Sequence, residues 1–144
     1  RSTTACSAEG KLADGRAGKI EFVPTAVQPG KFNEEYSRDI SPLRKLPALI
    51  LDNGSTIVDS YVIAEYLDEL AGGGKLIPTS GEAKWRVKTE HAITQGMLEA
   101  MLLCRYERAL RPEEKRWDLW VDDQWDRAWQ GFKLFEQRPE LADA

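Results

Sequence analysis

Two short groups of residues have types and positions suited to holding a ligand. Asp59 and Ser60 stand immediately before Val62, Ile63, Tyr66, Leu67 and Leu70, an apolar set at helical spacing. A helix start presents unpaired amides and the positive end of the dipole, so Asp59 can cap the first turn. A carboxylate is attracted to the same place, and the Ser60 hydroxyl can add a hydrogen bond to it. The second group is Leu46 and Pro47. The proline pushes Leu46 towards an extended conformation, and an N–H and C=O left unpaired there can bond to an extended peptide as a sheet edge does. Each group alone is ordinary: about one X-Pro bond in twenty is cis, and an Asp before a helix is commonly just a cap. Together they have the chemistry to hold a small anionic peptide.

The elements that must position them are local. Ala48–Leu51 is an unbroken apolar run, which suits a strand buried on both faces. Asp52, Asn53 and Gly54 supply an Asn-Gly pair, predicting a tight turn with positive φ at both central residues. Thr56, Ile57 and Val58 are β-branched and return as a second strand, after which the helix begins at Asp59. Upstream, Lys19–Pro24 reads as a strand, Gln28, Pro29 and Gly30 as turn material, and Asn33–Ile40 as a short helix capped by Asn33. Residues 1–18 show only a weak helical pattern at Ala5, Ala8 and Leu12, opposed by Gly10, Gly15 and Gly18, and no strand-like run.

After Leu70 the composition changes. Residues 72–78 read as a flexible glycine-rich linker between a domain at 1–71 and a second at 79–144. Thr79 and Glu82 have capping-box spacing, so a helix is predicted from about Ser80, and no proline interrupts it before Pro112. Its stripe is Trp85, Ala92, Ile93, Met97, Ala100, Met101 and Cys104. A second long helix carries Trp117, Val121, Trp125, Ala128, Phe132 and Phe135, a row read as core, with Trp120 and Trp129 beside it. Such stripes need partners, so the second half is read as a helical bundle.

Composition narrows the class. The 144 residues are 42% hydrophobic and 31% charged, enough for a packed core and a hydrated surface. A net charge of −4 with interspersed signs argues against nucleic acid, and no run approaches the length of a membrane span. RSTTACSAEG lacks the apolar core of a secretory signal, and two cysteines make no disulfide framework, which points to the cytoplasm. His91, the one histidine, has no Ser or Cys partner by spacing and reads as structural; no metal-ligand cluster or phosphate-cradling loop is present.

Lys45, Leu46, Pro47, Ala48 and Leu49, followed by Asp52, Gly54, Asp59, Ser60, Ile63, Tyr66 and Leu67, resemble the second half of the N-terminal domain of glutathione S-transferases. Residues 96–117, GMLEAMLLCRYERALRPEEKRW, resemble a segment of a bacterial group of that family, and the likeness runs over residues 19–140. The resemblance implies an α/β thioredoxin-like domain followed by an all-α domain. It implies conjugation of glutathione to a small hydrophobic electrophile, or reduction of a peroxide by it, in a homodimer without a metal. Leu46, before a cis-proline at Pro47, would pair its backbone with the cysteinyl unit. Ser60, aided by Asp59, would take the γ-glutamyl carboxylate, and Lys45 would reach the glycyl end.

In the family, the residue that stabilises the glutathione thiolate follows the first strand. Counting back from Ile20 and Pro47 places it near Ser2 or Thr3, with Thr4 and Cys6 as further candidates. Here the sequence departs from the family's Ser-Pro and basic, apolar-rich helix. The first strand, which lies inside the family's sheet, is expected to be missing. So are the last helices with their buried capping box, making the chain a fragment or a shortened relative. Two other readings remain: a glutathione S-transferase-like module that binds partners without catalysis, and a thiol oxidoreductase using Cys6.

Overall fold

The computed structural model describes residues 3–8 and 20–138, with the backbone alone at 3–8, 21 and 22. The chain divides into two units, Arg1–Gly81 and Glu82–Ala144.

The first unit is built on a four-stranded sheet in the order β2-β1-β3-β4, from β1 (Thr3–Ala8), β2 (Ile20–Thr25), β3 (Ala48–Ile50) and β4 (Thr56–Val58). The expectation of a missing first strand is corrected by β1, which fills the place between β2 and β3. It runs antiparallel to β2 from Thr3↔Thr25 to Ala8↔Ile20, and parallel to β3 at Cys6↔Leu49 and Ser7↔Ile50. TTACSA has neither apolar alternation nor an apolar run, so its strand character comes from pairing on both sides, which no local pattern announces. Pro24 is accommodated because β2 is an edge strand, where a missing N–H need not break an inner ladder.

β3 is covered on both faces: the successive residues Ala48 and Leu49 are each fully buried. The turn to β4 differs from the expected one. Gly54 has φ 81° but Asn53 has no positive φ. The Gly54 N–H donates to the Leu51 carbonyl at 2.8 Å and the Leu51 N–H to the Ser55 carbonyl at 2.9 Å, a three-residue loop with glycine in the left-handed place. The Asn53 side chain is engaged instead, its Oδ1 accepting from the Ser55 N–H at 2.9 Å and the Ser55 hydroxyl at 2.6 Å.

Among the described residues this unit has two helices, α1 (Glu34–Asp39) and α2 (Ser60–Leu70). At the end of α2, Asp68 is buried and accepts four backbone N–H groups, from Gly74 and Lys75 at 3.0 Å, Leu76 at 2.9 Å and Ile77 at 3.2 Å. The stretch expected to be a slack linker is therefore wrapped around a carboxylate. The Leu76 N–H foremost, with those of Ile77, Lys75 and Gly74, holds the Asp68 carboxyl below the usual carboxylate range, against the opposing effect of burial.

In the second unit, α3 (Gly81–Leu110) leads through a single 3-10 turn at Glu113–Lys115 to α4 (Asp118–Glu136). Met97, Ala100 and Ala128 form its core, with Ile93, Met101 and Phe135 packed against them. The face that α4 buries is Val121, Gln124, Ala128 and Gly131, so Val121 and Ala128 of the expected row lie inside while its tryptophans do not. Trp117, Trp125, Trp129 and Phe132 are all exposed, as is Trp85 on α3. The small residues Ala128 and Gly131 explain the choice of face, because they let α4 sit directly on Met97. Buried Glu107 ties the helix ends together, accepting from the Arg111 Nε at 2.7 Å and from the Trp117 N–H at 3.1 Å. No helix among the described residues is long and apolar enough to cross a membrane.

Candidate functional site

The β3–β4 pairing brings the two ligand-suited groups to one place. Ala48 pairs with Val58, so the next residues outward are Pro47 and Asp59, followed by Leu46 and Ser60. All four stand at the end of the hairpin opposite the Asp52–Gly54 turn. The Leu46–Pro47 peptide bond is cis. Among the described residues, no hydrogen bond is made to the Leu46 N–H or C=O.

At the α2 side, the Asp59 carboxylate caps as expected, its Oδ1 accepting from the Tyr61 N–H at 2.9 Å and the Val62 N–H at 3.3 Å. Asp59 does so with φ 78° and ψ 130°, a backbone conformation strained for any residue with a Cβ. Asp59 and Ser60 are exposed, and the Ser60 hydroxyl takes no partner among the described residues. The Tyr61 and Val62 amides are thus taken by Asp59, while the Ser60 hydroxyl stands open beside them.

The parallel β1–β3 pairing adds a third strand to this end. Because β1 and β3 run parallel with Cys6 level with Leu49, the Thr3 end of β1 lies towards the same end of the sheet as Ala48, which follows Leu46 and Pro47. Cys6 itself sits about 10 Å along the strand from that end at roughly 3.3 Å per residue. Thr3 is thus nearer that end than Cys6 at the level of the backbone, while Ser2 lies outside the described residues.

One residue that sequence reasoning missed holds this end in place. Tyr36, buried on α1, donates its hydroxyl to the Lys45 carbonyl at 2.9 Å. Burial raises its phenol pKa, so it is a neutral donor at any ordinary pH. The only local sign of it is the Asn33 cap, which accepts from the Tyr36 N–H at 3.0 Å. Nearby, the Arg44 guanidinium lies 3.9 Å from the Phe32 ring centroid. Arg44 and the exposed Lys45 thus put two cations just before Leu46. A separate hollow of about 470 Å³ opens between β2 and α1 beside Gln28, Lys31, Phe32 and Glu35, and shares no residue with the Leu46–Ser60 end. No group of three or more potential metal ligands occurs among the described residues.

Comparison with known proteins bears on this geometry. The model of the glutathione S-transferase N-terminal domain matches residues 15–70. A glutathione transferase family member from Pseudomonas fluorescens Pf-5, crystallised with bound glutathione, is 40% identical with a TM-score of 0.77, over 83% of this chain and 59% of that one. A glutathione S-transferase from Methylobacillus flagellatus KT, also with glutathione bound, is 31% identical with a TM-score of 0.68, over 74% of this chain and 52% of that one. The uncharacterised GST-like protein YibF of Escherichia coli K12 is 30% identical over 69 residues, 48% of this chain. This chain spans about a third of YibF, 34%, and little more than half of the two crystallised proteins.

Proposed function

We propose that the chain is a member of the glutathione S-transferase family, with a thioredoxin-like unit followed by a helical one, and that it binds glutathione at the Leu46–Ser60 end of the sheet. The observation that carries this is the Ala48↔Val58 pairing, which brings the chain leading out of Leu46 and the chain leading into Ser60 to one end of the hairpin, both with open hydrogen-bonding groups. Leu46 pairs its N–H and C=O with the cysteinyl unit as a strand edge would. Ser60 receives the γ-glutamyl carboxylate, Asp59 holds the first turn of α2 in shape through the Tyr61 and Val62 amides, and Lys45 reaches the glycyl carboxylate. The two crystallised relatives that hold glutathione support the choice of ligand.

The reaction proposed is attack of the glutathione thiolate on a small hydrophobic electrophile, or on a peroxide oxygen. The thiol is a poor nucleophile until deprotonated, and a hydroxyl donor beside the sulfur favours the thiolate. Thr3 is the residue proposed for that donor, with Ser2 as the alternative, because the parallel β1–β3 pairing directs the Thr3 end of β1 towards the Ala48 end of β3. A homodimer in the cytoplasm belongs to the same proposal. A second reading, a module that binds partners without turnover, draws on the exposed Trp117, Trp125, Trp129 and Phe132 of α4.

Titration calorimetry of glutathione into the protein and its Ser60→Ala variant tests the binding site. Loss of one hydrogen bond to a charged group lowers affinity by about 1–3 kcal/mol. Equal affinity removes Ser60 from the site. Turnover of a generic electrophile that disappears on changing Thr3 or Ser2 separates the transferase from the binding module. Binding without any turnover decides for the module.

A further inference from the structure

Leu46 sits at the end of a loop that α1 holds through Tyr36 and, at Pro42, through the Ser37 hydroxyl. The Tyr36 carbonyl accepts the N–H of Ile40 at 3.1 Å and of Ser41 at 2.9 Å, which closes α1 and starts the loop. The Arg44 N–H then donates to the Ser41 carbonyl at 2.9 Å, with Arg44 in the left-handed region at φ 53°. Finally the Tyr36 hydroxyl donates to the Lys45 carbonyl at 2.9 Å. One residue therefore grips the loop at both ends, through its main chain at Ser41 and its side chain at Lys45.

The second grip has a directional consequence. The Lys45 C=O and the Leu46 N–H belong to one planar peptide unit and point to opposite sides of it. Whatever fixes the oxygen also fixes the direction of the Leu46 N–H. We infer that Tyr36 is a positioning residue for the ligand site: by holding the Lys45 carbonyl it aims the Leu46 main chain at the backbone of a bound γ-glutamyl peptide. This rests on reading the Leu46 end as a glutathione site. Lys45 lies on the surface, so without the hydroxyl its carbonyl turns to water and the peptide plane is free to rotate. Binding would then have to order it again, and the affinity falls by the cost of that ordering.

Tyr36→Phe removes the hydroxyl and keeps the buried ring, so it separates positioning from packing. Two readouts are needed, the glutathione Kd by calorimetry and the backbone amide resonances of the ligand-free protein by ¹⁵N-labelled NMR. The expected result is a Kd raised about two- to tenfold, the range of one neutral hydrogen bond, with the Leu46 amide shifted or broadened and the Ser60 amide unmoved. An unchanged Leu46 amide or an unchanged Kd overturns the inference. Changes spread equally to Ser60 and the sheet overturn it too, because the hydroxyl then supports the fold and not the loop. Failure of the unaltered protein to bind glutathione overturns the ligand, and the Leu46 amide still decides whether Tyr36 aims that peptide.

Discussion

Replacing Gly131 by alanine places a methyl group where α4 rests on α3. A Cβ built there overlaps the Met97 Sδ and Cγ and falls 3.1 Å from its Cε. Real Cβ contacts do not come this close, so Met97 must leave its rotamer. The clash at Cγ, near the root of the side chain, means that the whole thioether swings away from a place where it is buried against Ala100 and Ala128. Losing that burial costs about 1.5–3 kcal/mol, and alanine returns about 0.8–1 kcal/mol as the better helix former. The net expectation is a loss of about 0.5–2 kcal/mol. Gly96 on α3 is the internal control, since it is helical and its Cβ would meet nothing within 4 Å, so Gly96→Ala should stabilise by up to about 1 kcal/mol. In a Met97→Ala background the obstruction is gone, and Gly131→Ala should change sign and stabilise. All five tryptophans, Trp85, Trp117, Trp120, Trp125 and Trp129, lie in the second unit, so denaturant unfolding followed by their fluorescence reports on it specifically. Stabilisation by Gly131→Ala in the otherwise unaltered protein, equal to that of Gly96→Ala, would refute the reasoning.

Two more outcomes are expected from the first unit. Asp59→Gly relieves a strained φ of 78°, worth about 1–3 kcal/mol, while glycine at an N-cap loses only about a few tenths. The variant should therefore melt higher and bind glutathione more weakly, and a parallel rise or fall in both quantities contradicts a strained functional position. Asp68→Asn keeps the shape but removes the charge that four N–H groups address. Because the folded carboxyl is held below its usual range, its contribution is complete above the unfolded value of about 3.9 and is lost as the pH falls through the folded value. Melting curves should show a variant less stable than the parent by a constant margin from neutral pH to about 5, with the gap closing under stronger acid. A margin that does not depend on pH would mean that the charge is not what matters.

The unit from Ala48 to Leu70 was legible because each of its rules acts within a few residues: an apolar run, a turn glycine, three β-branched residues and an acidic cap. The end of the hairpin at which Pro47 and Asp59 lie follows from that pairing, so the placing of these proposed binding residues was legible with it. β1 was not, because its place depends on ladders to residues far along the chain at Thr25 and Leu49. Tyr36 escaped for a similar reason, its hydroxyl reaching a carbonyl nine residues away. On α4 the periodicity was right and Val121, Ala128 and Phe135 turned inward as expected, but the tryptophans and Phe132 did not. Hydrophobicity favoured the tryptophans, but the distance of closest approach between helices favoured alanine and glycine, and approach decided which face turned inward.

The loop around Asp68 has the make-up of an anion receptor whose guest is supplied by the chain itself. Gly72, Gly73 and Gly74 all have positive φ, at 101°, 72° and 79°, and that curvature turns successive amides inward on one carboxylate. Around Gly72 a side chain would meet nothing, yet any L residue there would strain the backbone. Three residues that look interchangeable as spacer are thus among the hardest to replace. To a protease that prefers glycine-rich surface segments, a stretch with the composition of a cleavage site offers main chain already committed to its own acid.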